Sequence, residues 1–376
     1  MKIPLSAPDI TEADIEAVVS VLRTPRLSIG PRMIEFEQAV AAYTGVRNAV
    51  AVSSGTAGLH LVLRALGIAE GDEVILPSFA FIAVAHAVRY ERAIPVFVDV
   101  DPVTLNLDPE KIEERITPRT RAIVVTHTFG HPARLASILD IAERHRLPVI
   151  EDACEAIGAE YHGRKVGSLG RVGVFAFYPN KPITTGEGGM LVTDDDGLAE
   201  TFRALRNQGR KETDGWSDHR LLGYNYRLSE LPCALGCSQM RRLDEILERR
   251  CGRALEYCRQ LRDTPEVILP PVGEPGDRVC WFAFVVRLAG RDFVRSEMKK
   301  RGIECGCYFA PIHRQPLYAG FAEGADLPVT DAVSARTLAL PFFNSITDAQ
   351  ITEVCQTLRA AALPGRDRNG AEVPVK

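Results

Sequence analysis

The chain has 376 residues, 46% hydrophobic and 25% charged, ordinary globular values that exclude collagen-like, coiled-coil and wholly disordered organisation. Its 45 Lys and Arg stand against 49 Asp and Glu for a net charge of -4, so there is no basic surplus for a phosphate backbone and nucleic acid is not an expected partner. No apolar run approaches the ~18 residues of a membrane span, and Met1 to Ser6 leads into no hydrophobic signal core, so a cytoplasmic protein with no membrane contact is expected.

In chain order, Thr11 to Arg23 reads as the first helix, with Thr11 placed to cap its amino end and Glu12, Asp14 and Glu16 suited to its positive pole. It belongs to an N-terminal arm, residues 1-32. Short Val- and Ile-rich runs then recur: Ala49 to Val52, Val74 to Leu76, Pro95 to Val100, Ala122 to Thr126, Pro148 to Ile150, Gly173 to Phe177 and Met190 to Val192. These predict buried strands. Helical periodicity separates most of them, as at Ala57 to Leu66, Phe81 to Tyr90 and Leu135 to Arg146. The alternation predicts an α/β fold, a mostly parallel seven-stranded sheet with helices on both faces, as a large domain over 33-245.

A helical stretch from Leu228 to about Arg262 leads into a smaller C-terminal α+β domain, 246-363, with strands expected at Val279 to Leu288 and Cys307 to Phe309 and helices near 291-301 and 347-361. Residues 364-376 read as a frayed tail. The nine cysteines form no CxxC pair, and no His cluster has zinc-ligand spacing, so they read as small buried hydrophobes and no metal is expected. The nearest pairs, Cys233 with Cys237 and Cys305 with Cys307, keep a metal or redox alternative open.

Three segments carry candidate chemistry. Ser53 to Gly58, with Gly55, Thr56 and Ala57 at its centre, follows a strand and opens a helix, where N–H groups and hydroxyls suit a phosphate; a plain strand-to-helix junction needs the same residue types. Asp152, after Glu151, ends the run Pro148 to Ile150, where an open α/β sheet delivers a carboxylate to the ligand crevice. Its partner there is a metal, a basic side chain or a protonated heterocycle, unless it caps the next helix. Lys181 follows the aromatic strand Phe175 to Tyr178 and precedes the turn Thr184 to Gly189. Partial burial frees a lysine amine to attack a carbonyl, whereas a solvated hairpin lysine has no such role. One ligand satisfies all three: pyridoxal phosphate, whose sites pair a Schiff-base lysine with an acid at the pyridine nitrogen. Phe81, just past a strand end, is placed either to stack on a flat ring or to fill core.

With these segments, the ordered set Ile3 to Ser6 with Gly30-Pro31, Ser54 to Ala57, Phe97 to Asp101, Glu151 to Cys154, Tyr178 to Lys181, Gly186 to Gly189, Gly223 to Arg227 and Tyr308 to His313 resembles the DegT/DnrJ/EryC1/StrS family of sugar aminotransferases. The resemblance spans nearly the whole chain. It implies the fold of type I transferases that depend on pyridoxal 5'-phosphate, with Lys181 as the Schiff-base lysine and Asp152 at the pyridine nitrogen. By the same resemblance Thr56 and Ala57 would bind phosphate, Phe81 would stack on the ring, and Glu155 stands where the family often has Gln or His near the cofactor hydroxyl. Asn225 matches an asparagine that reaches the neighbouring subunit's cofactor, which implies a homodimer with shared active sites. Tyr226, Arg227 and His313 are candidate substrate contacts, His313 equally a structural hydrogen-bond partner, and Arg26 is placed either at a diphosphate or in solvent.

Some positions depart from the family pattern. Ala176 replaces a common phosphate-binding Ser, Gln208 a frequent His, His86 a common Asn, and Pro232-Cys233 the usual Gln-Ala pair. The implied activity is transfer of an amino group, with L-glutamate as the expected donor, to a nucleotide-linked keto-deoxysugar. The alternatives are transamination or dehydration of a related keto-cyclitol or sugar, and a regulatory protein that binds the cofactor. The intact Lys181 disfavours the dehydratase branch, which carries His there.

Overall fold

Helix α1 (Glu12–Leu22) begins where the sequence predicts, with Thr11 donating both its N–H and its hydroxyl to Asp14 Oδ2 at 2.8 and 2.9 Å. The structure, a computed structural model, describes residues 2–210, 219–321 and 325–362, so the expected tail 364-376 lies outside the described residues. Helix α2 (Pro31–Thr44) has no counterpart in the sequence reading, because its buried face includes Glu37 and Thr44 as well as Met33, Phe36 and Val40. Glu37 is satisfied inside, by Arg206 and by the N–H of Ala51, so a polar residue interrupts the apolar period at a core position. The first-turn donors of α2 are met by Glu230, whose carboxylate accepts from Gly30, Arg32 and Met33 at 3.0, 2.9 and 3.0 Å.

The runs expected as strands appear as β1 (Asn48–Val52), β2 (Glu73–Pro77), β3 (Ile94–Val98), β4 (Thr120–Thr126), β5 (Val149–Asp152), β8 (Val172–Ala176) and β9 (Gly189–Thr193), with a small hairpin, β6 (Glu160–Tyr161) and β7 (Arg164–Lys165), between them. The large sheet runs in the order β1-β9-β8-β5-β4-β2-β3. Only β9 runs against the rest, pairing antiparallel with β1 and β8. Alternate residues of one strand enter different cores: Val50 and Val52 pack on one side, Ala49 and Ala51 on the other. That double burial is why these strands read as continuous apolar runs.

Helices α3 (Gly55–Ala65), α4 (Ala83–Tyr90), α5 (Leu135–His145) and α6 (Asp196–Arg206) connect the strands. The start of α4 falls two residues later than the periodicity suggests, which leaves Phe81 outside the helix and 59% exposed. The single helical stretch expected after Leu228 is two helices, α7 (Glu230–Met240) and α8 (Leu243–Leu261). Arg242 breaks it: its backbone leaves the helix at φ -122, ψ 19, and its guanidinium turns back to Asp14 at 3.0 Å. Leu243, Ile246 and Leu247 of α8 pack with the large-sheet core, whereas Ala254, Tyr257 and Leu261 pack in a second core. The expected boundary at 245/246 thus falls inside one continuous helix.

The second core surrounds β10 (Val267–Ile268), β11 (Phe284–Leu288) and β12 (Thr337–Leu340), paired in that order, with α9 (Arg291–Lys300), α10 (Pro328–Ser334) and α11 (Asp348–Ala362) nearby. The strand expected from Val279 starts only at Phe284, because Trp281 takes a left-handed φ of 54° and ends any regular ladder. Cys307 to Phe309 forms no strand; the neighbouring pairing is a single bridge from Gly306 to Ala339. All nine cysteines are free, and no group of side chains among the described residues has the make-up of a metal site. No described helix is long and apolar enough to cross a membrane.

His131, after β4, lies edge-on to Trp281 at 5.4 Å, and burial pushes its imidazole from 6.5 down to about 4. The unfolded chain therefore takes up a proton that the folded chain refuses, and stability falls as pH drops from about 6.5 toward about 4. His131→Gln is expected to flatten that acid limb by about 1.4 kcal/mol per pH unit, read from urea midpoints of both proteins across the range. Parallel limbs for the two proteins would show that this group does not contribute.

Candidate active site

The turn between β1 and α3 points its donors at the ends of β5 and β8. Ser54 caps α3 by accepting the N–H of Ala57 on its hydroxyl at 3.0 Å, and its carbonyl accepts from Gly58 at 3.0 Å. The N–H groups of Gly55 and Thr56 precede the first intrahelical bond and face outward at the positive end of the helix. Glycine is required at 55 by contact: a Cβ there lies 2.8 Å from both Ala176 Cβ and Cys154 Sγ. The same measurement places Ala176 against the turn, in the position where the family often has a hydroxyl.

Strand β5 ends in two carboxylates that point to opposite faces. Glu151 is fully buried and accepts N–H groups from Gly167, Leu169 and Gly170 at 2.7, 2.7 and 2.6 Å, with His127 Nε2 at 3.0 Å. Because His127 Nδ1 accepts from Ala133 N–H at 3.1 Å, Nε2 is the nitrogen that carries the hydrogen. Burial pushes the Glu151 carboxyl up, but the His127 bond and the backbone amides outweigh it and hold it below the usual range. Glu151 therefore works as a latch on the loop before β8.

Asp152 faces the crevice, 6% exposed, and its carboxylate accepts the N–H of Cys154 at 3.2 Å. Burial pushes its carboxyl above the usual range, and the Cys154 bonds and the Lys181 charge oppose this only in part. Such a group calls for a further cationic donor.

Lys181 sits on the loop that joins β8 to β9, which is closed by Phe177 N–H to Gly188 carbonyl and Thr185 N–H to Phe177 carbonyl, both 3.0 Å. The loop turns its amine inward: Nζ lies 3.5 Å from Glu155 Oε1 and 4.0 Å from the centre of the Phe282 ring. Glu155 is itself buried, with Oε2 accepting the N–H of Phe129 at 3.0 Å. Burial raises its carboxyl, which the Lys181 charge offsets in part. Phe282 has no local sequence signal, since it arrives because Cys280 and Phe282 N–H groups pair with the carbonyls of Gly130 and Phe129 at 3.2 and 3.1 Å. Phe309 stacks on Phe129 at 5.4 Å and meets Phe81 at 6.4 Å, completing an aromatic wall.

The family model for DegT/DnrJ/EryC1/StrS aminotransferases matches residues 8–359 of this sequence. The chain belongs to that family. GDP-perosamine synthase of Caulobacter vibrioides is 42% identical over 95% of this chain and 97% of its own. The spore coat polysaccharide biosynthesis protein SpsC of Bacillus subtilis is 37% identical over 95% and 96%. Among solved structures, S. venezuelae DesV in complex with a ketimine intermediate superimposes with a TM-score of 0.90 at 38% identity, covering 96% of this chain and 98% of that one. Helicobacter pylori PseC, an aminotransferase of pseudoaminic acid biosynthesis, gives 0.91 at 27% identity over 96% and 99%.

The cofactor of this aminotransferase is pyridoxal 5'-phosphate, and the residues fit it. The glycine-lined helix start suits a phosphate, the under-bonded buried Asp152 suits a protonated ring nitrogen, and the inward amine of Lys181 suits an aldehyde.

The other anticipated residues do not join this cluster within one chain. Asn225 is exposed and pairs through its backbone with Asn207. Tyr226 shares a hydrogen bond of 3.1 Å with His60 Nδ1, and His60 Nε2 meets Glu91 at 2.8 Å. Arg227 donates to Asn207 Oδ1 at 3.1 Å and lines, with Arg26, Arg203 and Arg206, a cavity of about 860 Å³. His313 is buried, with Nδ1 2.7 Å from the Ser78 hydroxyl and Nε2 3.3 Å from Asp331, which places it in a structural network. None of the four hydrogen-bonds Lys181, Asp152 or Glu155 among the described residues.

The departures from the family pattern are locally accommodated. His86 Nδ1 bonds the Tyr318 hydroxyl at 2.6 Å, Gln208 N–H donates to the Tyr224 carbonyl at 2.9 Å, and Pro232 lies in the first turn of α7, where no intrahelical N–H is needed.

Proposed function

We propose that this aminotransferase moves an amino group from L-glutamate to a nucleotide-linked keto-deoxysugar and releases an amino sugar. The observation that carries the reading is the position of the Lys181 amine, 3.5 Å from Glu155, beside the buried Asp152 and opposite the start of α3. Pyridoxal phosphate, when bound, supplies an aldehyde for amine exchange and a ring that takes up electrons. Gly55, Thr56 and Ala57 would hold its phosphate, Phe81 would stack on its ring, and Asp152 would keep a proton on its nitrogen. Lys181 Nζ, once freed by the incoming amine, takes the proton from the donor α-carbon and returns it on the other side of the exchange. Glu155 would lie on the side of the ring hydroxyl.

The active unit in this reading is a cytoplasmic homodimer in which each chain extends Asn225 to its partner's site. Tyr226 and Arg227 help to shape the sugar pocket, while His313, tied to Ser78, supports its wall.

The test is a half reaction. Holoprotein mixed with L-glutamate is expected to lose its visible absorbance and form about one 2-oxoglutarate per site; a visible band that glutamate leaves unchanged would refute glutamate as donor. The name of the 42% identical relative makes a GDP-linked keto-deoxyhexose the first acceptor to assay. Failure with every nucleotide-linked ketone but turnover of a keto-cyclitol would move the assignment to that class.

A further inference from the structure

Lys181 and Glu155 form a pair with few other choices. The lysine side chain is 12% exposed and that of Glu155 6%. One carboxylate oxygen, Oε2, is fixed by the N–H of Phe129 at 3.0 Å, which leaves Oε1 to face Nζ at 3.5 Å. On its other side Nζ meets the Phe282 ring at 4.0 Å, which attracts a cation and accepts no proton. Asp152, the other nearby carboxylate, makes no ion pair with Nζ among the described residues and accepts from Cys154. An amine that must attack a carbonyl has to shed a proton first, and here the acceptor within reach is Glu155.

We propose that Glu155 takes the proton from Lys181 when its ammonium becomes a nucleophilic amine, and returns it when the amine is released. An N–H bond of Nζ breaks with its electron pair left on nitrogen, and an O–H bond forms at Oε1. Ammonium and carboxylate become amine and carboxylic acid, so no charge leaves the site. Burial favours the neutral form of such a pair, and burial is the largest influence on Glu155. The titratable groups that face Glu155 are Asp152, Cys154, Lys181, Cys280 and Tyr308. Burial holds the two thiols and the phenol in their neutral forms, well above their ordinary values for Cys154 and up to about 12 for Cys280, so they do not compete for this proton. Asp152 and Lys181 are the remaining charges.

The proposal rests on Lys181 being the cofactor lysine and makes Glu155 a positioning residue that acts through it. Because an internal transfer leaves the proton count unchanged, the fraction of reactive amine does not depend on solvent pH. Cofactor-free wild type mixed with pyridoxal phosphate is thus expected to develop its visible band at a rate that is flat between about pH 7 and about pH 8.5. Glu155→Gln keeps an oxygen for Phe129 but takes no proton, so Nζ must lose its proton to solvent and the rate is expected to rise with pH where that of wild type does not. A merely structural loss lowers the rate equally at every pH. A flat profile in Glu155→Gln overturns the proposal, and absence of any band in wild type overturns the reading of Lys181 with it. If Glu155→Gln does not fold, Glu155→Asp carries the test: slower capture with a flat profile supports the transfer, and capture at the wild-type rate overturns it.

Discussion

Lys181→Ala is expected to abolish turnover and to leave a protein that binds pyridoxal phosphate without a covalent link. The amine lies on the loop between β8 and β9, and among the described residues no other lysine is placed in the crevice: Lys165, the nearest in sequence, pairs with Glu160 at 2.6 Å on the small hairpin. Two functions go together in this variant, the attachment of the cofactor and the movement of the α-proton. The second alone is worth about 10²- to 10⁴-fold in rate. Borohydride reduction followed by intact mass reads the link, and 2-oxoglutarate formation from glutamate reads the proton transfer. Substantial activity in the variant would remove Lys181 from the mechanism.

Asp152→Asn is expected to lower kcat about 10²-fold or more while the protein still folds and still captures cofactor through Lys181. Asn keeps an oxygen for the N–H of Cys154, so the local bond at 3.2 Å survives. What disappears is the negative charge proposed to hold a proton on the ring nitrogen. Wild-type Asp152 is buried at 6% exposure, and burial works against its charge, so a cation beside it favours the anion. The cofactor's absorbance maximum in the variant reports the ring directly, and activity reports the consequence. An unchanged spectrum with unchanged kcat would show that this carboxylate serves only to cap the turn after β5.

The sequence made the sheet legible because its strands are buried on both faces, and runs such as Ala49 to Val52 show no polar alternation to confuse with a helix. Asp152 was legible for the same reason, as the second of two acids, after Glu151, that end such a run. What stayed hidden depends on contacts distant in sequence. The interruption between α7 and α8 comes from Arg242 reaching back to Asp9 and Asp14, which no local period encodes. Helix α2 hides a core Glu37 whose partner, Arg206, lies far along the chain. Phe282 enters the crevice through pairing with Phe129 and Gly130, and the left-handed Trp281 that permits this also shortens the strand read from Val279. The facing of Glu155 and Lys181 is likewise a product of two loops meeting, not of spacing.

Helix α8 contributes its first turn to one hydrophobic core and its remaining length to the other. A chain divided at 245/246 and expressed as two fragments would therefore cut a 19-residue helix near its start and leave a cut apolar stripe on each piece. Two such fragments reassemble only by rebuilding that helix. The intact protein is accordingly expected to melt as one cooperative unit, and a genetic fusion or split-protein sensor built on it needs its junction elsewhere, outside the rod that both cores share.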